Sequence, residues 1–309
     1  MSGDPATAAP GLLRRAELAV SRRIHGLREG DHLALVAGRG VEAGDARPYA
    51  AGDDVRRMDW AVTARTGVPH VRDAVAEREL DLGVLIDLSG SLDFGTARWR
   101  KVDLALAVLG ALGTIATQGH DRFGAILLTA DGALPLPMRA GRAHLAAVLA
   151  RAEAASSAGG AADLAVGIDR LALVARRRGL AVVVSDFRGP FTWERAMARL
   201  AQRHDVVAVE LVDPREMRLA DVGFVTVADA ETGRRRTIDT SRPDIRAAFA
   251  AAADRDRAAV AGAVDAAGAS HLRLWTDRDW VEPLVRFLEQ RKRAWASGRP
   301  IPFLQGVSR

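Results

Sequence analysis

One aspartate and two serines alternate in the segment Asp87-Leu88-Ser89-Gly90-Ser91, directly after a run of apolar residues. Alternate side chains can turn inward around one point, and Gly90 permits a tight backbone turn. Carboxylate and hydroxyl oxygens suit a hard cation such as Mg²⁺, which takes one or two carboxylates and keeps several waters. The spacing therefore predicts a divalent-metal loop, with a hydrogen-bonded turn capped by serine as the structural alternative.

Another aspartate, Asp186, follows a second apolar run at residues 180–185. The carboxyl ends of the strands in an open parallel sheet meet at one edge, where such sheets bind ligands. We therefore expect Asp186 to lie beside the first segment. The predicted metal ligands are Asp87, Ser89, Ser91 and Asp186.

Short apolar runs alternate with stretches of helical periodicity along most of the chain. The predicted strands are residues 80–89, 123–129, 180–185, 206–212 and 271–275. The predicted helices are residues 12–27, 98–117, 141–154, 163–178, 192–203, 242–267 and 279–295. This alternation indicates an α/β fold with a mostly parallel sheet flanked by helices.

Two segments depart from that alternation. Residues 133–138 contain two prolines and predict an edge strand, because proline cannot donate to a central ladder. Residues 223–238 predict a hairpin around Gly233 that is appended to the sheet. We expect three regions: an N-terminal helix and accessory segment (1–78), the α/β domain (79–297) and a C-terminal tail (298–309).

The accessory segment is dense in opposite charges between residues 49 and 65. The structural interpretation is a network of ion pairs and hydrogen bonds that fixes this segment against the sheet, with Trp60 as its apolar anchor. A partner surface is the alternative, because tryptophan and arginine dominate interface hot spots. The residues of this motif are Asp53, Asp54, Arg56, Asp59, Trp60 and Arg65.

The composition is that of an ordinary globular protein, with 49% hydrophobic and 27% charged residues and no cysteine, so thiolate metal sites are excluded. The run Leu104–Ala116 is shorter than the roughly 20 residues of a membrane span and predicts a core helix. The first residues lack the pattern of a secretory signal, and we expect a cytoplasmic protein. The net charge of +5 comes from arginines interleaved with acids, which argues against nucleic-acid binding.

Several separated pieces of the sequence occur in a recognisable order, and they are Gly52-Asp53-Asp54-Val55-Arg56, Asp59-Trp60, Ala64-Arg65, the DLSGS segment and Ser185-Asp186-Phe187. Together they resemble the domain of unknown function 58 family over most of residues 30–275. The resemblance implies a von Willebrand factor A-like, Rossmann-like domain. It also implies a metal-ion-dependent adhesion site, in which a DxSxS loop, a threonine and an aspartate surround one Mg²⁺ or Mn²⁺.

Carried over by position, this chain departs from the family pattern in one ligand. Ala162 stands where the family usually has the threonine, so water or the neighbouring Asp163 would have to fill that position. We therefore expect weak metal binding, with Asp163 as a further candidate ligand. The alternative is a degenerate site that no longer binds metal.

The resemblance implies a non-enzymatic, metal-dependent protein-interaction module that acts as an adaptor for an AAA+ ATPase of the MoxR type. The alternative is a metal-dependent phosphatase or hydrolase with Asp87 as nucleophile. Phosphatases of that kind need a second aspartate two residues later, where this chain has Ser89. A third hypothesis is a basic surface that binds nucleic acid, but the sequence has no recognisable nucleic-acid-binding motif.

Overall fold

The computed structural model describes residues 46–50, 53–72, 81–156, 159–228, 235–297 and 304–305. The helix predicted at residues 12–27 lies outside these ranges. The strands are β1 Ala46–Pro48, β2 His70–Arg72, β3 Asp81–Asp87, β4 Arg122–Thr129, β5 Gly132–Arg139, β6 Leu180–Ser185, β7 Asp205–Val212, β8 Phe224–Ala228, β9 Arg235–Asp239, β10 Ser270–Trp275 and β11 Leu304–Gln305. The helices are α1 Trp60–Thr66, α2 Lys101–Gln118, α3 Arg142–Ala155, α4 Leu164–Val174, α5 Glu194–Ala201, α6 Pro214–Met217, α7 Pro243–Ala266 and α8 Val281–Ser297.

Seven strands form the main sheet in the order β11-β10-β7-β6-β3-β4-β5. Every neighbouring pair is parallel except β4 and β5, which are antiparallel. The central strands β3 and β6 are buried along their whole length, as expected for a sheet covered on both faces. The predicted α/β fold class is therefore confirmed.

Apolar side chains form one core on each face of the sheet. Helices α2, α3 and α8 pack on one face, where the apolar residues of α2 meet alternate residues of β3. Helices α4, α5 and α7 pack on the other face. The sheet is thus held between two helical layers, and its carboxyl edge is left to the connecting loops.

Helix α2 is the one helix among the described residues that is long and apolar enough to cross a membrane, and 83% of its length is buried within the fold. The run Leu104–Ala116 inside it faces the first core, so its predicted role as a core helix is confirmed. Its first residue is Lys101, which begins the helix at the carboxyl edge of the sheet.

Two predictions about the margins of the sheet had different outcomes. The proline-containing strand β5 lies at the edge, as predicted. Strands β8 and β9 pair antiparallel as a hairpin, but they form a two-stranded sheet of their own. The prediction that this hairpin is appended to the main sheet was wrong, because its alternating pattern indicated a strand pair and carried no information about the neighbouring strand.

Candidate functional site

Asp87 ends β3 at the carboxyl edge of the sheet and is buried. Its Oδ1 accepts a hydrogen bond from the Ser89 amide at 2.9 Å. Its Oδ2 accepts one from the Ser185 hydroxyl, at the end of the adjacent strand β6, at 2.6 Å. Both carboxylate oxygens are thus engaged by groups from the carboxyl ends of two neighbouring strands.

The DLSGS loop (residues 87–91) brings its two serine hydroxyls together, with 3.2 Å between Ser89 Oγ and Ser91 Oγ. The amide of Gly90 donates to the Gly160 carbonyl at 2.7 Å, which joins this loop to the one before α4. Gly160 has φ +83°, and a Cβ there would lie 2.7 Å from the Cβ of Ala130. Glycine is therefore required at the point where the two loops meet.

Asp186, directly after β6, is paired with a lysine that the sequence reasoning missed. The Lys101 Nζ lies 2.6 Å from Asp186 Oδ2 and 2.7 Å from Glu216 Oε1, and its side chain is 0% exposed. The other oxygen of Asp186 accepts a hydrogen bond from the Arg188 amide at 3.2 Å. One clue was available, because only Lys101 and Lys292 among the 44 basic residues are lysines.

The two aspartates titrate in opposite directions. Burial raises the pKa of Asp87 to about 6, and the negative charge of Asp186 adds to this, against the hydrogen bonds from Ser185 and Ser89. Burial also acts to raise the pKa of Asp186, but the charge and hydrogen bond of Lys101 outweigh it and hold that pKa below its ordinary value. The ammonium group thus compensates Asp186 and leaves Asp87 under-compensated.

The structure brings three of the four predicted metal ligands together and pairs the fourth, Asp186, with a lysine. Asp87, Ser89 and Ser91 converge, but Asp186 is held in a buried ion pair by the Lys101 ammonium. Asp163 is exposed and caps α4, accepting from the Ala165 amide at 2.9 Å. No group of three or more histidine or acidic side chains in the described ranges is placed to hold a metal ion.

A second charge cluster lies beside the first, around Glu210 on β7. This residue is paired in register with Ser185, and its carboxylate contacts Arg257 at 2.7 Å, Arg273 at 2.6 Å and His271 at 3.0 Å. Burial would raise the pKa of Glu210, but these three partners hold it below its ordinary value. Arg257 also donates to the Asp186 carbonyl at 3.0 Å, so the second cluster helps to position the first.

Glu216 is fixed for its contact with Lys101 by the turn that follows β7. Asp213 caps α6, and the Glu216 side chain accepts from the Asp213 amide at 3.2 Å, completing a capping box. The Asp213 carboxylate also accepts from the hydroxyls of Thr96 at 2.6 Å and Thr276 at 2.7 Å. These bonds tie together the loops that follow three strands.

The loops that follow β3 and β6, residues 88–100 and 186–193, form what we call the rim. Phe94 and Phe191 on these loops are 41% and 37% exposed, and the side chain of Arg188 is 45% exposed. The Phe94 ring centre lies 5.9 Å from the Lys101 ammonium, and Phe191 packs edge-on against the buried Trp193 at 5.6 Å. The rim therefore presents aromatic and arginine side chains over a rigid polar base.

A small cavity of about 80 Å³ opens beside the rim. It is lined by Arg188, Glu216, Phe249, Ala252, Ala253, Asp256 and Arg257. Sites for small organic ligands usually enclose about 300–1,000 Å³. This cavity is thus too small to enclose a ligand of that size.

The charged motif of the accessory segment forms local contacts. Arg47 on β1 makes a bidentate pair with Asp53, with both N–O distances 2.7 Å. Asp54 accepts from the Arg56 amide at 3.0 Å, and Asp59 caps α1 by accepting from the amides of its second and third residues. These bonds are local: they comprise one ion pair with Arg47, which is not part of the predicted motif, and two backbone caps.

The prediction that Trp60 anchors this segment was wrong, because its side chain is 71% exposed. Trp60 is the first residue of α1, and no residue of that helix is buried. Arg56 and Arg65 are exposed as well. An exposed tryptophan beside exposed arginines leaves the partner-surface interpretation of the motif open to test.

Known proteins similar to this chain include close relatives and distant folds. The uncharacterized proteins Rv1480 of Mycobacterium tuberculosis and Mb1516 of Mycobacterium bovis are each 46% identical over 299 residues, covering 96% of this chain and 93% of theirs. Among solved structures, BatB from Bacteroides thetaiotaomicron is 13% identical with a TM-score of 0.44, covering 71% of this chain and 99% of its own. The SpRpn10 VWA domain is 12% identical with a TM-score of 0.41, covering 67% and 94%.

The fold class rests on the sheet topology described above, since these structural likenesses are distant. The family assignment rests on the sequence itself. The model of the family described as "Protein of unknown function DUF58" matches residues 45–259, a range that includes the charged motif, the DLSGS loop and Asp186. The resemblance carried by these motifs is therefore confirmed, and the chain belongs to the DUF58 family.

Proposed function

We propose that this protein is a non-enzymatic interaction module that binds a partner protein at the rim. The observation that carries the proposal is the combination of exposed Phe94, Phe191 and Arg188 over a base fixed by buried hydrogen bonds. Aromatic and arginine side chains supply most of the binding energy at protein interfaces, and a rigid base lowers the entropy cost of binding.

Catalysis by Asp87 is less compatible with the same contacts. A nucleophilic carboxylate needs an oxygen that can reach the substrate, whereas Asp87 is buried and both its oxygens accept hydrogen bonds. The position of the acid–base aspartate is taken by Ser89, whose hydroxyl contacts that of Ser91. These contacts support binding over hydrolysis.

The partner that we propose is a cytoplasmic AAA+ ATPase of the MoxR type, a choice that rests on the family resemblance. The charge pattern supports a protein partner over nucleic acid. Exposed arginines pair with acids on the same surface, among them Arg100 with Asp93 and Arg218 with Asp254. Such mixed pairs neutralise part of the positive charge that a phosphate backbone would need.

The test uses the purified full-length chain and the purified MoxR-type ATPase of the same organism, with affinity measured by biolayer interferometry in the presence of ATP. We expect Phe94→Ser and Arg188→Ser to weaken binding at least about tenfold, the ratio that corresponds to about 1.4 kcal/mol. Leu173→Ser is the matched control, because Leu173 is 64% exposed at the far end of α4, where the chain returns to the start of β6. It should leave the affinity unchanged.

Two results would contradict the proposal. One is the absence of binding, or an affinity that the rim variants and the Leu173 control lower by the same factor. The other is turnover of a phosphate ester that vanishes in Asp87→Ala, which would support the hydrolase alternative.

A further inference from the structure

The ammonium group of Lys101 stands where a metal site of this design would need positive charge. It contacts the carboxylates of Asp186 and Glu216, and it is enclosed by the fold at the first residue of α2. We infer that Lys101 is a built-in cation that keeps Asp186 out of metal coordination, so that Asp87, Ser89 and Ser91 remain as a weak, single-carboxylate site for Mg²⁺ or Mn²⁺.

The contacts of Lys101 are strong ones. Distances of 2.6 and 2.7 Å are short for an ammonium–carboxylate pair, and such charge-assisted bonds are about twice as strong as neutral ones. A metal ion that recruited Asp186 would have to displace the ammonium and leave a buried positive charge with one partner fewer. That cost acts against metal binding at Asp186.

The choice of amino acid supports the same assignment. Position 101 carries one of two lysines in a chain whose other basic residues are all arginine. An ammonium is a compact point charge with three donors, whereas a guanidinium is a planar fork that needs more room. A fully enclosed position between two carboxylates therefore favours lysine, in the role that a small cation would fill.

The remaining oxygens still have the geometry of a partial site. The 3.2 Å between the hydroxyls of Ser89 and Ser91 is close to the distance between adjacent ligands of an octahedral ion with bonds of about 2.1 Å. The Asp87 carboxylate beside them accepts hydrogen bonds from two neutral groups, the Ser89 amide and the Ser185 hydroxyl. Affinity for divalent ions rises with the number of charged ligands, so one carboxylate beside a fixed ammonium should bind weakly.

The inference can be tested without any partner protein, so its outcome is independent of the outcome for the proposed function. Mn²⁺ binding to the full-length protein is measured by electron paramagnetic resonance, with Mg²⁺ as competitor. We expect wild type to bind Mn²⁺ in the millimolar range or more weakly. Lys101→Met, which keeps the length and removes the charge, should bind about tenfold tighter or more.

Two further variants identify the cause of that gain. Adding Asp186→Asn to Lys101→Met should abolish the gain in Mn²⁺ affinity, because the Asp186 carboxylate is the ligand that the loss of Lys101 makes available. Arg291→Met is the matched control, since Arg291 is another buried cation, paired with Asp205 at the opposite end of the sheet. Its Mn²⁺ affinity should equal that of wild type.

An unchanged or weaker affinity of Lys101→Met, or a gain that survives Asp186→Asn, would overturn the inference. A measurement on wild type decides the matter if the variant does not fold. Lysine labelled with ¹³C at Cε gives two side-chain NMR signals in this chain, one of them from Lys101. We expect that signal to stay in place until Mg²⁺ reaches millimolar concentration, and a shift at micromolar Mg²⁺ would show that the metal displaces the ammonium.

Discussion

Two buried charge clusters lie side by side at the carboxyl edge of the sheet, and their charges are balanced differently. In the Glu210 cluster, one carboxylate meets two arginines and a histidine. In the Asp186 cluster, Lys101 is shared between Asp186 and Glu216, and Asp87 receives hydrogen bonds only. The pKa of Glu210 is lowered, whereas that of Asp87 is raised to about 6.

We infer from this difference that the Glu210 cluster stabilises the fold and that Asp87 is the carboxylate to test for binding. A carboxylate whose charge is fully compensated gains nothing from another ligand, so the Glu210 cluster is a structural element. A buried carboxylate with an unfavourable charge environment is typical of functional sites, which are stabilised by what they bind. Asp87 has that property, and Arg257 connects the two clusters through the Asp186 carbonyl.

The largest expected effect is on the Glu210 cluster. Glu210→Ala leaves the guanidinium groups of Arg257 and Arg273 buried without their carboxylate, so the free energy of unfolding should fall by about 3–5 kcal/mol in urea denaturation. Asp169→Ala is the control, because it removes an exposed ion pair with Arg199 and should cost about 1 kcal/mol or less. An equal decrease in the free energy of unfolding of the two variants would show that the Glu210 cluster contributes no more to stability than an exposed ion pair.

The stabilisation by the Glu210 cluster should also depend on pH. Because the folded-state pKa of Glu210 lies below its ordinary value of 4.5, its stabilisation is present above that pH and is lost as the pH falls through the folded value. We expect the difference in unfolding free energy between wild type and Glu210→Gln to be constant near neutral pH and to shrink below about pH 4.5. Urea denaturation of both proteins between about pH 3 and pH 7 measures it, and a difference that grows in acid would contradict the assignment.

The smallest effect, with the opposite sign, is expected at Asp87. Asp87→Asn removes a buried charge that faces Asp186, and an asparagine can still accept from the Ser89 amide and donate to the Ser185 hydroxyl. The free energy of unfolding in EDTA at neutral pH should rise by about 1 kcal/mol, as is common when a functional site is neutralised. A loss as large as that of Glu210→Ala would show that Asp87 is a structural charge.

The parts of this molecule that follow from local patterns could be predicted from the sequence. Strands β3 and β6 are continuous apolar runs, and topology alone brings Asp87 and Asp186 to one edge of the sheet. Pairs formed across long sequence separations could not be predicted. Lys101 reaches Asp186 across 85 residues and Arg273 reaches Glu210 across 63, and neither pair has a local pattern.

Exposure was the other property that the sequence did not determine. Trp60 was expected to be the apolar anchor of the charged segment, yet the short helix α1 that it begins has no buried residue. Burial depends on what packs against a segment, and the pattern of residues 49–65 specifies its turns and caps without specifying that contact.

The edge strand β5 has a consequence for how this protein can associate. Pro135 and Pro137 stand at alternate positions, so two of the amides that a further strand would use on that side are absent. At the opposite edge, β11 is two residues long. Sheets commonly recruit extended peptides, or polymerise with copies of themselves, by adding a strand at an edge. The prolines hinder this addition at β5, and β11 provides only a short strand for pairing. Association through the main sheet should therefore use its loops and helices in preference to its edge strands.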